Sequence, residues 1–240
     1  MSSKNIEEFI RVFKRMNIVD FTEKSTVLCG KIECRIPNGN HGALEIFYKL
    51  KIVVPHNYPN EIPRVYEIGQ DIPRTSEYHM NSDGSLCLGS PLRILESIQQ
   101  DESLISYAKS ILLPYLYAAS LKKCGICKHM AYGELAHGEQ GLLTDYKKCF
   151  GVKTDTQVLR VLELLKRENL DYEKEPCPCG CGRSIADCQF RSTIEHWKKI
   201  TASCPREYLH LTPPPKQWRS VLGRIAFDMR CRYLEKAIER

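Results

Sequence analysis

Apolar residues at the start of the chain recur with a helical period: Ile6, Phe9, Ile10 and Phe13 stand at i, i+3, i+4 and i+7. That spacing predicts an amphipathic helix whose apolar stripe needs a cover. The period then changes to two. Ile32, Cys34 and Ile36 alternate with Lys31, Glu33 and Arg35, and the run Pro37-Asn38-Gly39-Asn40-His41-Gly42 supplies turn chemistry. In the longer alternation that follows, Leu44, Ile46, Tyr48, Leu50, Ile52 and Val54 share one face. The pattern predicts an antiparallel hairpin with one side buried, and residues 64–68 read as a third strand.

Pro55, Pro59, Pro63, Pro73 and Pro91, with Gly69, Gly84 and Gly89, make most of the remaining stretch from 55 to 91 loop. A long irregular loop in a compact domain is usually functional. A second helix is predicted near residues 103–120, with Leu104, Ala108, Ile111, Leu112 and Tyr115 on one stripe and Pro114 kinking it or ending its first part. Helix, antiparallel meander, loop and helix make an α+β arrangement. Past Leu121 the pattern becomes short helices separated by Cys- and Gly-bearing turns. It includes a helix over residues 155–168 built on Val158, Leu162 and Leu165, a stiff break at Pro213-Pro214-Pro215 and a last amphipathic helix over residues 218–240. No internal repeat is visible.

A chain of 240 residues, 42% hydrophobic, can bury a core, which excludes a disordered tail. Residues 4–14 alternate charged and apolar side chains, and no apolar run approaches the roughly 18 residues of a membrane helix, so a soluble, cytoplasmic protein without a membrane partner is expected. Without a secretion signal, the twelve cysteines point to metal ligands and a reactive thiol rather than to disulfides. Charge is uneven: residues 1–120 sum to −1 and residues 121–240 to +7. The basic second half reads as solvated helical surface, and nucleic acid is not expected as a partner.

The candidate chemistry sits in the long loop. The segment Pro55-His56-Asn57-Tyr58-Pro59-Asn60-Glu61-Ile62-Pro63 is followed by His79-Met80-Asn81-Ser82-Asp83-Gly84-Ser85-Leu86-Cys87-Leu88. In such a loop Leu86 and Leu88 anchor inward while Cys87 faces outward by alternation. A thiolate there can attack an acyl carbonyl and hold the product as a thioester, given a donor for the oxyanion. The alternative for Cys87 is a buried small hydrophobe. A Cys-His hydrolase using His129 or His137 is a competing chemistry, but its nucleophile lies at a helix N-terminus, and Gly89-Ser90-Pro91 speaks against an immediate helix here.

These motifs resemble the ubiquitin-conjugating enzymes. Pro55, Tyr58, Pro59 and Pro63 fit one family signature, and Gly84, Leu86, Cys87 and Leu88 fit the loop of the catalytic cysteine. The resemblance covers about residues 1–120 and implies an antiparallel meander sheet flanked by helices, with Cys87 as nucleophile. His79-Met80-Asn81 resembles the family's His-Pro-Asn element but lies two residues nearer the cysteine. Counted back from Cys87, His79 takes the position of the oxyanion asparagine and would donate to the oxyanion or lower the thiol pKa. If Asn81 takes that role instead, His79 merely holds the loop.

The second half, residues 121–240, is expected to be a helical zinc-binding extension. Cys177, Cys179, Cys181 and Cys188 fall within twelve residues and resemble the SEC-C motif, in which three cysteines and a fourth ligand hold one structural zinc. Cys177, Cys179 and Cys188 match that spacing. Gln189 occupies the fourth position, which leaves Cys181 or His196 to complete the tetrahedron. Cys124-Gly125-Ile126-Cys127 is a weaker knuckle, with Cys149, His129 and His137 as companions, and residues 131–141 resemble a Gly-Glu-x-x-His-Gly segment of some bacterial conjugating-enzyme-like proteins.

Together the two halves look like prokaryotic stand-alone conjugating enzymes found beside cGAS-like nucleotidyltransferases in antiphage operons. That resemblance implies that Cys87 takes the C-terminal carboxyl of a partner, foremost the nucleotidyltransferase, as a thioester. The alternatives are conjugation of a bacterial ubiquitin-like modifier, an inactive scaffold in which Cys87 is incidental, and a basic zinc-bearing nucleic-acid module.

Overall fold

The computed structural model describes residues 3–37, 43–130 and 139–211. Its opening helix α1, Ser3–Val12, buries Ile6 and Phe9 and half-buries Ile10 and Phe13, the stripe that the spacing predicts. Four strands follow: β1 Met16–Phe21, β2 Ser25–Pro37, β3 Ala43–Pro55 and β4 Arg64–Glu67, paired antiparallel in the order β1-β2-β3-β4. Strand β1 had no clear alternation to announce it. It is short, and its register to β2 shifts between Ile18 and Asp20, a bulge that breaks the two-residue period. Close approach at its start demands glycine in β2: a Cβ on Gly30 would stand 1.9 Å from the Arg15 carbonyl oxygen.

On β3, Ile46, Tyr48, Leu50, Ile52 and Val54 are all buried, as their alternation requires, and Leu44 is half-buried. This face meets the helical segment Leu104–Lys123, where Tyr48 Oη and Ser120 Oγ lie 2.9 Å apart. The segment runs longer than the residues 103–120 expected and comprises α3 Leu104–Tyr107, a π turn over Ala108–Leu112 and α4 Leu113–Lys123. Pro114 lacks the N–H that would continue the α ladder, and the chain widens one turn earlier rather than stopping. Ser103 caps α3 through its hydroxyl, and the Asn5 amide binds both Glu102 and Leu104 backbone, fastening α1 to this helix.

By length and composition Leu104–Lys123 is apolar enough to cross a membrane, which the reading of the sequence did not anticipate; it alone qualifies among the described residues. Its most apolar window is 56% buried inside the fold. The same features mark a buried core helix.

A second correction concerns the chain after the loop cysteine. Helix α2, Pro91–Gln100, begins four residues past Cys87, where the Gly-Ser-Pro run had argued against a helix. Proline at the first helical position is a start signal, since its fixed φ suits the helix and its missing N–H would have had no partner.

The remaining helices are α5 Glu139–Phe150, α6 Asp155–Lys166 and α7 Arg191–Thr201. On α6, Val158, Leu162 and Leu165 are buried as predicted, and Thr154 and Gln157 close a capping box at its start. The protein is therefore α+β, with a four-stranded antiparallel meander and helices. It forms two compact units that interleave along the chain. Among the described residues, one comprises 3–88 and 100–130 and holds the sheet; the other comprises 89–99 and 139–211. In the second, Trp197 packs edge-on to Phe150 at 5.4 Å. There too the buried Asp145 carboxylate accepts from Ser90 Oγ and from the Arg93 guanidinium, at 2.6 Å from Nη2. The Gly-Glu-x-x-His-Gly segment with His137, the β2–β3 turn and the C-terminal helix expected at 218–240 lie outside the described residues.

Candidate functional site

Cys87 lies just past the sheet in a loop stapled to β4 by the Leu86 N–H to Val65 carbonyl bond at 2.8 Å. Leu86 is buried, whereas Cys87 and Leu88 are both half-buried, so of the two leucines expected to anchor inward only Leu86 is buried. The loop doubles back as a miniature ladder around a Met80–Leu86 bridge. The Cys87 N–H donates to the His79 carbonyl at 2.7 Å, and the Asn81 N–H donates to the Ser85 carbonyl at 2.8 Å. His79 and Cys87 thus stand directly opposite each other, joined by this one backbone bond, while the His79 N–H donates to the Ser76 carbonyl at 2.9 Å. His79 is 9% exposed and takes left-handed backbone angles, φ 50° and ψ 53°, a region in which histidine is enriched.

Asn81 occupies a different position. Its side-chain amide donates to Ser85 Oγ at 3.0 Å and reaches the Leu86 carbonyl at 3.4 Å, so its donors brace the loop's own turn. Asp83 does the same from the other end, accepting from the Ser85 N–H at 2.9 Å and from Ser85 Oγ at 2.6 Å.

Tyr115, from the apolar stripe, and Lys122 fix this loop to α4. The Tyr115 hydroxyl donates to the Tyr78 carbonyl at 2.6 Å, and Lys122 Nζ donates to the Glu77 carbonyl at 2.8 Å. Lys122 also sits over the Tyr78 ring at 4.9 Å. Residues seven apart share one helix face, so α4 clamps consecutive carbonyls immediately before His79. Burial, and then the negative charge of a Cys87 thiolate, push the Tyr115 pKa upward, which keeps its hydroxyl a neutral donor. Periodicity shows Tyr115 only as part of a stripe; its partner is set by the tertiary fold.

The second constellation is the cysteine turn of the C-terminal unit. Cys177, Cys179, Cys181 and Cys188 bring their sulfurs within 4.8 Å of one another, with contacts of 3.1 Å for Cys177–Cys179 and 3.6 Å for both Cys179–Cys188 and Cys181–Cys188. Four thiolates around a zinc ion at about 2.3 Å would stand about 3.8 Å apart. This group can hold a metal ion. The Cys177 N–H donates to the Arg183 carbonyl at 2.9 Å, and the Phe190 N–H points at Cys188 Sγ at 3.5 Å. Gly180 takes φ +85°, and a Cβ there would come within 3.3 Å of the Gln157 amide. That amide donates to the Cys179 carbonyl at 2.7 Å while its oxygen accepts from the Thr154 N–H, so one side chain joins the α6 cap to the cysteine turn. Burial raises the Cys177 thiol pKa, whereas the Arg183 backbone and then the Cys179 thiol lower that of Cys181 to about 6.

His196 does not join this group. It stands on α7 with Nε2 2.9 Å from Glu96 Oε1, so of the two candidates for fourth ligand the fold brings in Cys181. Cys124 and Cys127 lie just past α4, and no metal-binding group forms around them among the described residues. Cys149 is part of α5 beside Asp145, and burial pushes its thiol up to about 12. No family model matches the chain, and no curated protein or solved structure matches it significantly. The chemistry of the two sites must therefore be argued from their own residues.

Proposed function

We propose that the protein is a thioester-forming acyl transferase of the ubiquitin-conjugating kind, with Cys87 as nucleophile and a structural zinc on Cys177, Cys179, Cys181 and Cys188. The observation that carries the reading is the build of the Cys87 loop. A half-buried thiol stands opposite a buried histidine, linked to it by one backbone hydrogen bond, on backbone held by β4 at one end and clamped by α4 at the other. Such support fixes a nucleophile on an irregular loop, where a loose one would lose rate.

In the proposed step, the Cys87 thiolate attacks the carbonyl carbon of a partner's activated C-terminus, supplied as an acyl adenylate. The C–S bond forms, the bond from that carbon to the phosphate oxygen breaks, and AMP leaves. His79 donates to the oxyanion, while Asn81, whose amide is engaged with Ser85, holds the turn. Cys177, Cys179, Cys181 and Cys188 would hold the zinc with protein ligands alone, which would leave no position for substrate and would make its role to hold the C-terminal unit together. The partner fitting the family resemblance is a cGAS-like nucleotidyltransferase of antiphage defence.

Intact mass under non-reducing conditions, after co-expression with the products of adjacent genes, tests this reading. The expected result is an adduct equal to the partner less one water, removed by thiol or hydroxylamine and absent from Cys87→Ala. An adduct that persists in Cys87→Ala, or full cellular function of that variant with no adduct at all, overturns it.

A further inference from the structure

Four sulfurs that can hold a metal can also be oxidised, and the cysteine turn does not shelter them equally. Cys177 is 7% exposed, Cys179 and Cys188 are half-buried, and Cys181 is exposed. Cys181 sits between Gly180 and Gly182, both with left-handed backbone at φ +85° and +76°, and a Cβ on Gly182 would meet nothing within 4 Å. A small oxidant from solvent therefore reaches Cys181 first. Its sulfur lies 3.6 Å from Cys188 Sγ, and a disulfide at about 2.0 Å asks the pair to close by about 1.6 Å, with a glycine on each side of Cys181 to absorb the movement. Cys177 and Cys179 are nearer to each other, at 3.1 Å, but Cys177 is buried. Cys179 is also 3.6 Å from Cys188, and exposure separates it from Cys181. The turn holds more than its own sulfurs. The Gln157 amide donates to the Cys179 carbonyl at 2.7 Å and accepts from the Lys153 and Thr154 N–H groups at 2.9 and 3.0 Å, so the start of α6 is fastened to it.

We propose that Cys181 is a site of oxidation by hydrogen peroxide, that Cys188 resolves it to a disulfide, and that this bond expels the metal and loosens the start of α6. The inference rests on the reading of the four cysteines as a metal site. In the first step the Cys181 thiolate attacks one oxygen of the peroxide. An S–O bond forms, the O–O bond breaks, hydroxide leaves and Cys181 becomes a sulfenic acid. The Cys188 thiolate then attacks that sulfur; the S–S bond forms, the S–O bond breaks and a second hydroxide leaves. In all, the two thiolates give up two electrons and one peroxide takes them. Cys177 and Cys179 alone cannot complete a tetrahedron, so the metal departs. A dithiol reductant returns the pair to thiolates and the site to its binding form.

The test titrates the full chain, loaded with zinc and freed of reductant, with hydrogen peroxide. Released zinc is read with a chromophoric chelator, and the sulfurs by alkylation and tryptic mapping without reduction. Cleavage after Lys174, Arg183 and Arg191 places Cys177, Cys179 and Cys181 in peptide 175–183 and Cys188 in peptide 184–191. The expected disulfide joins these two peptides, fragmentation puts it on Cys181, and it appears together with loss of the zinc. Dithiothreitol and fresh zinc should restore the starting state. Cys181→His, which keeps a site of three cysteines and a histidine, should hold its zinc at a peroxide dose that strips wild type. Amide exchange over residues 154–158 should quicken in the oxidised form. Zinc retained by wild type, a disulfide confined to peptide 175–183, a link through Cys179, or Cys181→His stripped at the same dose overturns the proposal, and unchanged exchange at α6 refutes the coupling to that helix. A chain that takes up no zinc yet joins Cys181 to Cys188 refutes the metal reading while bearing out the thiol chemistry.

Discussion

The ligand set of the cysteine turn can be decided by exchanging its two rival residues, Cys181→Ser and His196→Ala. A structural zinc site in small domains contributes about 10–16 kcal/mol of binding free energy. Shared over four thiolates, that corresponds to a loss on the order of 10²- to 10³-fold in metal affinity when one ligand goes. Cys181 is exposed and its sulfur lies 3.6 Å from that of Cys188, so serine removes a ligand without opening a cavity. His196→Ala should leave metal affinity unchanged. Its imidazole is 2.9 Å from Glu96 Oε1 in an exposed pair, and such pairs contribute about 0–1 kcal/mol. The assay is competition for zinc against a chromophoric chelator under reducing conditions, with stoichiometry from elemental analysis. Wild-type affinity in Cys181→Ser together with a large loss in His196→Ala would refute the four-cysteine assignment and the argument from sulfur geometry behind it.

Two further predictions rest on buried carboxylates. Asp145 is 2% exposed and holds both Ser90 and Arg93; with Arg93 half in water, Asp145→Ala should cost about 2–4 kcal/mol in urea unfolding, and a loss under about 1 kcal/mol would show that the carboxylate does not tie α2 to α5. Glu67 is 3% exposed, Oε2 has no hydrogen-bond partner, and burial raises its pKa despite the Gly69 N–H at 2.7 Å. A raised carboxyl binds its proton more tightly folded than unfolded, so its contribution is full below the unfolded value and shrinks as pH rises through the folded one. Thermal melts should therefore show wild type losing more stability than Glu67→Gln as pH rises from the ordinary carboxylate range towards neutrality; parallel curves would contradict the burial argument.

The strands β2 and β3, the stripe of α1 and the core positions of α6 were legible in the sequence because each element repeats its apolar residues at its own period, and burial follows that period. The cysteine spacing likewise points to a metal-binding turn. What periodicity could not resolve was decided by contacts between distant residues. Strand β1 exists because β2 offers it a ladder, and its bulge hides the alternation. Helix α2 starts at a proline that reads as a breaker until packing gives it a helix to open, and it then joins the C-terminal unit rather than the sheet that precedes it. Spacing left Cys181 and His196 equal as fourth ligands. Burying Ile194, Trp197 and Ile200 sets the rotation of α7 and leaves His196 on an exposed position beside Glu96, while the turn at Gly180 folds Cys181 back onto its neighbours. The clamp of Tyr115 and Lys122 on the Cys87 loop is of the same kind: one helix face shows in the sequence, but the carbonyls it grips are defined only when the chain has folded around it.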